Sequence, residues 1–240
     1  MMVGESRMRN AMKFRLFFVL TIFFSLSANV QSSAQEAPQP QLNGLKLKVV
    51  DRVEVRTKLS QEIVDSLFSF SELGFQEFET QRYLSELLKA NGFTVEEGIS
   101  DIPSAWWATW GAGKPIIALG TDVDGIPKSS QMPGVVARQP MISGAPGHGE
   151  GHNSGMAVNI IAALAVKDIM AQEGLSGTIV IWPGVAEELV ATKAWYVRDG
   201  RFKNIDAVDA FKLPVRPGVG LEFSQLHHAI GGRRNRICRC

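Results

Sequence analysis

The chain contains little cysteine and almost no net charge, and both facts exclude classes of protein. Only two cysteines occur in 240 residues, and both lie among the last three, Cys238 and Cys240. A disulfide framework or a thiolate zinc site is therefore not expected. With 25 Lys and Arg against 24 Asp and Glu, the formal net charge is +1, which gives no reason to expect nucleic acid as a partner. No internal repeat is visible either, so a repeat architecture is not expected.

The apolar stretch near the start of the chain lacks the length of a membrane span. It covers residues 16–26 and follows Lys13 and Arg15, and it is shorter than the roughly 20 residues that cross a bilayer. Small residues at 32–34 then offer a cleavage site. We expect a signal peptide, export to the periplasm or the medium, and no stable membrane insertion after cleavage. An uncleaved anchor is the alternative.

A glycine-rich loop at residues 144–153, GAPGHGEGHN, is the most informative segment that is present. His148, Glu150 and His152 alternate with glycines there, and an apolar, Ala-rich helix is predicted over residues 152–172. Glycine lets a backbone fold closely around a ligand, and imidazole and carboxylate are the usual ligands of catalytic divalent metals. The loop predicts a metal site. A flexible turn with solvated histidines is the alternative interpretation.

Pairs of acids follow two predicted strands. Asp122 and Asp124 come after the first strand, and Glu187 and Glu188 come after the second. In open α/β sheets, ligands bind beyond the carboxyl ends of strands. Taken singly, the Asp pair is compatible with an Asx-type turn and the Glu pair with a solvated helix start. The two strands are predicted at residues 115–120 and 179–183.

The remaining pattern alternates helices and strands, which is typical of the α/β class. The tryptophan-rich strand is expected to lie in the core rather than to form a ligand-stacking platform. The further predicted elements are helices at 53–70 and 76–90, with Asn91-Gly92 as the C-terminal cap, and strands at 93–95 and 105–110.

Over residues 55–210 these motifs, in this order, resemble the amidohydrolase branch of the aminoacylase and carboxypeptidase-type metallopeptidases. That branch includes aminobenzoyl-glutamate, hippurate and indole-acetyl-amino-acid hydrolases. The resemblance implies an α/β fold, a three-layer α/β/α zinc-exopeptidase-like domain with a central mixed sheet. The segments that carry it are Phe70–Thr80 with its ELGFQE stretch, 102–105, Asp122–Pro127, the Gly-His loop and 186–188.

The resemblance also implies roles for individual residues. Asp122, Glu150, His152 and Glu188 correspond to metal ligands. Asp124 corresponds to the acid that orients them, and Glu187 to the general base. The implied chemistry is hydrolysis of an amide bond in an N-acyl or N-aroyl amino acid, or a peptide-like substrate, with a divalent metal as cofactor, Zn or Mn.

The sequence departs from the family pattern in two places. Glu150 replaces a thiolate, and residues 205–215 contain no histidine where the family has another ligand. His227 and His228 follow in an Arg-rich tail that matches nothing. We therefore expect an incomplete domain, from a truncated or frame-shifted gene, that lacks the lid domain and the C-terminal catalytic segment. Weak metal binding, at most trace activity and no dimer are expected.

These expectations divide the chain into four parts and leave two alternatives to catalysis open. One alternative is a non-catalytic remnant that still binds metal, and the other is a binding module that uses the acidic crevice without chemistry. The parts are a signal peptide at 1–34, a linker at 35–50, a truncated catalytic domain at 51–215 and an irregular basic tail at 216–240.

Overall fold

A five-stranded mixed sheet forms the centre of the fold, as seen in a computed structural model that describes residues 39–190 and 192–210. Its strand order is β1-β2-β4-β3-β5; β1 and β2 pair antiparallel, β2 and β4 antiparallel, and β4, β3 and β5 run parallel. The predicted central mixed sheet is confirmed. The strands are β1 Thr94–Glu97, β2 Trp106–Ala112, β3 Ile116–Asp122, β4 Gly177–Gly184 and β5 Ala207–Ala210.

Five helices and two short 3-10 turns complete the described residues. The 3-10 turns are Ile99–Asp101 and Glu187–Leu189. The helices are α1 Gln39–Glu54, α2 Thr57–Phe70, α3 Phe78–Ala90, α4 His152–Glu173 and α5 Lys193–Arg198. The predicted signal peptide, the predicted basic tail, His227 and His228 lie outside the described residues.

The N-terminal helices differ from their prediction. The predicted helix at 53–70 is wrong at its start, because α1 ends at Glu54 and α2 begins at Thr57. The Thr57 hydroxyl donates to the Glu54 carbonyl at 2.7 Å, a local bond that competes with helix continuation. The predicted linker at 35–50 also overlaps α1, since a proline such as Pro40 is compatible with a first helical turn.

The sheet is covered on both faces, so the three-layer arrangement is confirmed. On one face α4 packs against β3 and β4, α3 packs against β1 and β2, and α2 packs on α4. On the other face the Phe202 ring meets Trp107 and Trp182 edge-on, with ring centroids 5.6 and 5.2 Å apart, and Tyr196 meets Trp182 at 6.1 Å. The tryptophans of β2 thus serve the core, as predicted.

Parallel pairing of β3 with β4 decides where the functional residues meet. Asp122, the last residue of β3, lies opposite Gly184, the last residue of β4. Both strands therefore deliver their following acids to the same edge of the sheet. The helix α4 begins at that edge, after Gly151, whose φ of 95° favours glycine.

Among the described helices, α4 alone has the length and mean hydropathy, 1.5, that a membrane span would need. It is also a central core helix. Twelve of its residues are buried, and Met156, Ile160 and Leu164 among them are completely inaccessible to solvent. Packing against the sheet therefore accounts for its apolar character.

Candidate metal centre

Two groups of side chains at the carboxyl edge of β3 and β4 could hold a metal ion, and they share His152. We call Asp122, His152 and Glu187 the inner group, and Glu150, His152 and Glu188 the outer group. Within each group the candidate ligand atoms lie within 4.8 Å of one another. Atoms bound to one ion at 2.0–2.2 Å lie at most about 4.4 Å apart. Small side-chain shifts would thus close either group on an ion, and the donor set suits a divalent cation.

His152 joins the two groups through its two ring nitrogens. Its Nδ1 lies 2.9 Å from the Asp124 carbonyl oxygen and 3.1 Å from Oε1 of Glu150. Its Nε2 faces the inner group, at 3.8 Å from Oδ2 of Asp122 and 3.8 Å from Oε2 of Glu187. A proton on Nδ1 that is donated to the Asp124 carbonyl leaves the Nε2 lone pair directed at the inner group.

The carboxylate of Asp124 holds the turn that carries the two glutamates. It is fully buried, and its Oδ1 and Oδ2 accept the backbone N–H groups of Glu187 and Glu188, each at 3.0 Å. These bonds reach across more than 60 residues of sequence, so they are not the Asx-type turn that the local pattern also allowed. Asp124 fixes the glutamates from behind the cluster, which matches the orienting role that the resemblance implied.

Glu77 supports the same turn from the opposite side and had no role in the sequence prediction. Its carboxylate is fully buried, where it accepts the Ala186 N–H at 2.8 Å and the Ser104 hydroxyl at 2.8 Å. Three consecutive N–H groups, those of residues 186–188, are therefore held by buried carboxylates. The ELGFQE stretch was the available signal, because Glu77 is its last residue.

Gly74, in the ELGFQE stretch, allows that stretch to lie directly against the turn at residues 186–188. A Cβ at Gly74 would lie 2.9 Å from the Cα of Ala186, so the two backbones touch without room for a side chain. Ala186 itself has a φ of 53°, an uncommon conformation for a residue with a side chain. Close packing and three carboxylate hydrogen bonds hold the turn in this strained shape.

The two histidines of the glycine-rich loop have separate positions. The His148 side chain is fully buried, and its Nε2 lies 3.1 Å from the Leu67 carbonyl of α2, which attaches the loop to the helical layer. Its Nδ1 is 3.4 Å from Oε1 of Glu150. His152 is also almost entirely buried. Neither histidine is solvated, so the alternative of a flexible solvated turn is wrong.

The carboxylates of the cluster differ in pKa. Burial raises the pKa of Asp122, although the neighbouring Lys193 opposes the shift, and burial raises the pKa of Asp124. Burial, followed by the charges of Glu150 and Glu187, raises the pKa of Glu188. In Glu150, burial is outweighed by the hydrogen bond from His148 and the charge of His152, which together lower the pKa. The crowded acids thus favour a bound cation.

The structure brings all six residues of the predicted site together at one edge of the sheet. The two groups contain the four predicted metal ligands, divided between an inner and an outer position. Neither group includes a residue of β5. Glu187, predicted as the general base, lies among the inner ligands, so its role as base rather than ligand stays a prediction.

A lysine that the sequence analysis missed also reaches this edge. Lys193, the first residue of α5, places its Nζ 2.6 Å from Oδ1 of Asp122. No local signal marks this residue, because it comes from the segment after the Glu pair and contacts a strand end more than 70 positions earlier.

Known proteins share this fold and part of this sequence. One of the subunits of p-aminobenzoyl-glutamate hydrolase from Escherichia coli K12 is 34% identical over 157 residues, which cover 65% of this chain and 33% of that protein. No protein-family model matches the chain. The chain thus spans about a third of the length of this relative.

Solved structures agree on the fold. An aminobenzoyl-glutamate utilization protein from Klebsiella pneumoniae superposes with a TM-score of 0.54 at 13% identity, over 70% of this chain and 46% of that one. A dinuclear metal-binding peptidase of the M20 family from Bacillus subtilis superposes with a TM-score of 0.51 at 18% identity, over 65% and 43%. The chain is thus similar in sequence to part of one aminobenzoyl-glutamate hydrolase subunit and shares its fold with part of these solved structures.

Proposed function

We propose that this chain binds a divalent metal at the inner and outer groups and takes part in hydrolysis of an amide bond in an N-acyl or N-aroyl amino acid. The observation that carries the proposal is the convergence of five carboxylates on His152 at the carboxyl edge of β3 and β4. The similarity to part of an aminobenzoyl-glutamate hydrolase supports an aroyl-amino-acid substrate of that type.

Zn or Mn is the metal that the donor set favours. The outer group offers two carboxylates and one imidazole, and the inner group offers Asp122 and the same imidazole beside Glu187, which this proposal assigns to proton transfer. Oxygen and nitrogen donors of this kind suit both ions. An ion held there would polarise a scissile carbonyl and make a bound water more acidic. The protein itself supplies the ligands, their orientation and the group that moves the proton.

In this proposal the two neighbouring glutamates have different tasks. Glu188 is a ligand of the outer group, and Glu187 takes the proton from the attacking water and passes it to the leaving amine. Asp124 keeps both in place through their backbone N–H groups. His152 holds its ring orientation through the Asp124 carbonyl, as metal-binding histidines commonly do through their second nitrogen.

Substituting Glu187 separates the two roles that its position allows. If it is the base, Glu187→Gln removes nearly all amide hydrolysis and leaves Zn²⁺ or Mn²⁺ affinity unchanged, because a neutral amide cannot take the proton. The measurements are calorimetric metal titration and release of free amine from a panel of N-acyl amino acids, with Glu86→Gln on the surface of α3 as control. Loss of metal affinity together with activity would make Glu187 a ligand and contradict the assignment.

Metal binding without turnover is a second candidate function, favoured by one observation. Residues 205–215 contain no histidine, although the resemblance implies a further ligand in that region. If this second function is correct, the purified chain takes up metal but shows no chelator-sensitive hydrolysis of any substrate in the panel. We also propose export through residues 1–34, which fractionation of cells that express the full chain would test.

A further inference from the structure

Lys193 reaches into the candidate metal centre from the surface. Its ammonium lies 2.6 Å from Oδ1 of Asp122, whose side chain is 7% exposed, whereas the side chain of Lys193 is 43% exposed. The ion pair therefore joins a half-exposed cation to a buried carboxylate of the inner group. Asp122 is fixed at the end of a strand, so it is the lysine that is able to leave the pair.

The backbone of β4 makes room for this pair. A Cβ at Gly184 would lie 1.8 Å from Oδ1 of Asp122 and 2.8 Å from Cε of Lys193. Both side chains thus pack directly on the glycine Cα, at the position that strand register places opposite Asp122. Any larger residue at position 184 would displace both side chains. The contact between Lys193 and Asp122 therefore depends on the glycine at the end of β4.

The charge of Lys193 acts on one group more than on the other. Asp122 belongs to the inner group, and the ammonium contacts it directly. Glu150 of the outer group instead pairs with His148 and His152. A divalent ion that uses Asp122 meets a carboxylate that already has a positive partner, and two cations at one carboxylate repel each other.

We propose that Lys193 is an internal counter-cation that competes with a divalent ion for Asp122 and so lowers the metal affinity of the inner group. This inference rests on the proposed function, namely that the two groups bind metal. In the absence of an ion the ammonium neutralises Asp122, and uptake of an ion into the inner group requires the ammonium to withdraw toward solvent. The inner and outer positions consequently differ in affinity.

The test is a titration of the full chain with Zn²⁺ and, separately, Mn²⁺ by calorimetry after chelator treatment. Lys193→Met keeps the length and the apolar stem but removes the charge. We expect it to tighten the weakest binding step by about two- to fivefold, the equivalent of one partly exposed ion pair. Lys193→Arg keeps the charge and is expected to bind like the wild type.

Two further variants show whether the effect acts through Asp122. Lys89→Met removes a lysine from an exposed ion pair with Glu97 and controls for the change in net charge, so its affinities should equal those of the wild type. In an Asp122→Asn background, Lys193→Met should produce no additional tightening, because the competition has lost its target.

The outcomes distinguish this inference from the function on which it rests. Tighter binding in Lys193→Met that disappears in the Asp122→Asn background supports it. Equal affinity in the wild type and Lys193→Met, or the same gain with and without Asp122, overturns the inference and leaves the proposed metal binding intact. Uptake of neither ion by any of these proteins overturns both.

Discussion

The inner and outer groups share His152, but the fold holds their carboxylates in different ways. Asp122 ends a central strand, is nearly buried and has a lysine partner. Glu150 lies in the glycine-rich loop and Glu188 in a 3-10 turn, and both are more exposed. The inner group thus has one carboxylate at the end of a strand and one, Glu187, in the 3-10 turn, while both carboxylates of the outer group lie in connecting segments. Asp122 has a lysine as its counter-cation, whereas Glu150 pairs with His148 and His152.

The same contrast appears in the charge of the two positions. Burial raises the pKa of Asp122, whereas the hydrogen bond from His148 and the charge of His152 overcome burial and lower the pKa of Glu150. An ionised carboxylate is therefore more costly at Asp122 than at Glu150. Glu188 of the outer group resembles Asp122 in this respect, since burial also raises its pKa. Filling both positions with ions would remove this difference, since each ion compensates the acids around it.

Removal of His152, which the inner and outer groups share, is expected to have the largest effect on metal binding. His152→Ala removes the imidazole that is the candidate ligand in either group, although its one free lone pair, on Nε2, binds one ion at a time. We expect the affinity for Zn²⁺ to fall on the order of 100-fold or more, beyond the 10–100-fold typical of residues that only support ligands. Calorimetric titration measures the loss. His148→Ala is the comparison variant: it removes the contacts with Leu67 and Glu150 but no candidate ligand, so it should lower metal affinity less than His152→Ala does. Comparable metal affinity in His152→Ala and the wild type would refute the shared ligand.

Altering Glu77 tests whether the turn beneath both groups needs its buried support. Glu77→Ala leaves the buried Ala186 N–H without an acceptor and is expected to reduce the free energy of unfolding by about 1–3 kcal/mol. Glu77→Gln should cost less, because its amide oxygen can accept from Ala186 while its NH₂ group donates to the Ser104 hydroxyl. Urea unfolding of the metal-free variants gives both values. A Gln variant as unstable as the Ala variant would show that the negative charge itself is required.

A smaller effect is expected on the pH dependence of stability, and it distinguishes Asp122 of the inner group from Glu150 of the outer group. The pKa of Asp122 is raised in the folded chain, so its contribution to stability is present below its ordinary pKa of 3.8 and is lost as the pH rises through the folded value. Metal-free protein should therefore become less stable between about pH 4 and neutrality, and Asp122→Asn should flatten that decline.

Melting temperatures measured in chelator across this pH range test the expectation. Glu150→Gln is the comparison, because the lowered pKa of Glu150 has the opposite sign and contributes stability above its ordinary pKa of 4.5. Removing Glu150 should weaken the rise in stability with pH below about pH 4.5 and leave the decline above that pH unchanged, whereas Asp122→Asn flattens the decline. Identical pH profiles for the two variants would mean that the positions do not differ as the structure indicates.

Much of the fold could be predicted from the hydrophobic pattern of the sequence and from the glycines and prolines that interrupt it. The strands β3 and β4 and the helix α4 are within a few residues of their predicted bounds, because apolar runs between glycines and prolines mark them directly in the sequence. The break between α1 and α2 was missed, since the Thr57 hydroxyl bond competes with a helical pattern that otherwise continues.

The sequence by itself determined which chemical groups are available at this site: the Asp pair, the Glu pair and the histidine loop, each placed directly after or before a strongly patterned element. Only the tertiary structure decided that Glu77 lies beneath the Glu pair and that Lys193 contacts Asp122. The physical reason is that local patterns record burial and backbone preference. Parallel pairing of β3 with β4 joins residues more than 60 positions apart. The contacts that follow from that pairing produce no periodic pattern in the sequence from which they could be predicted.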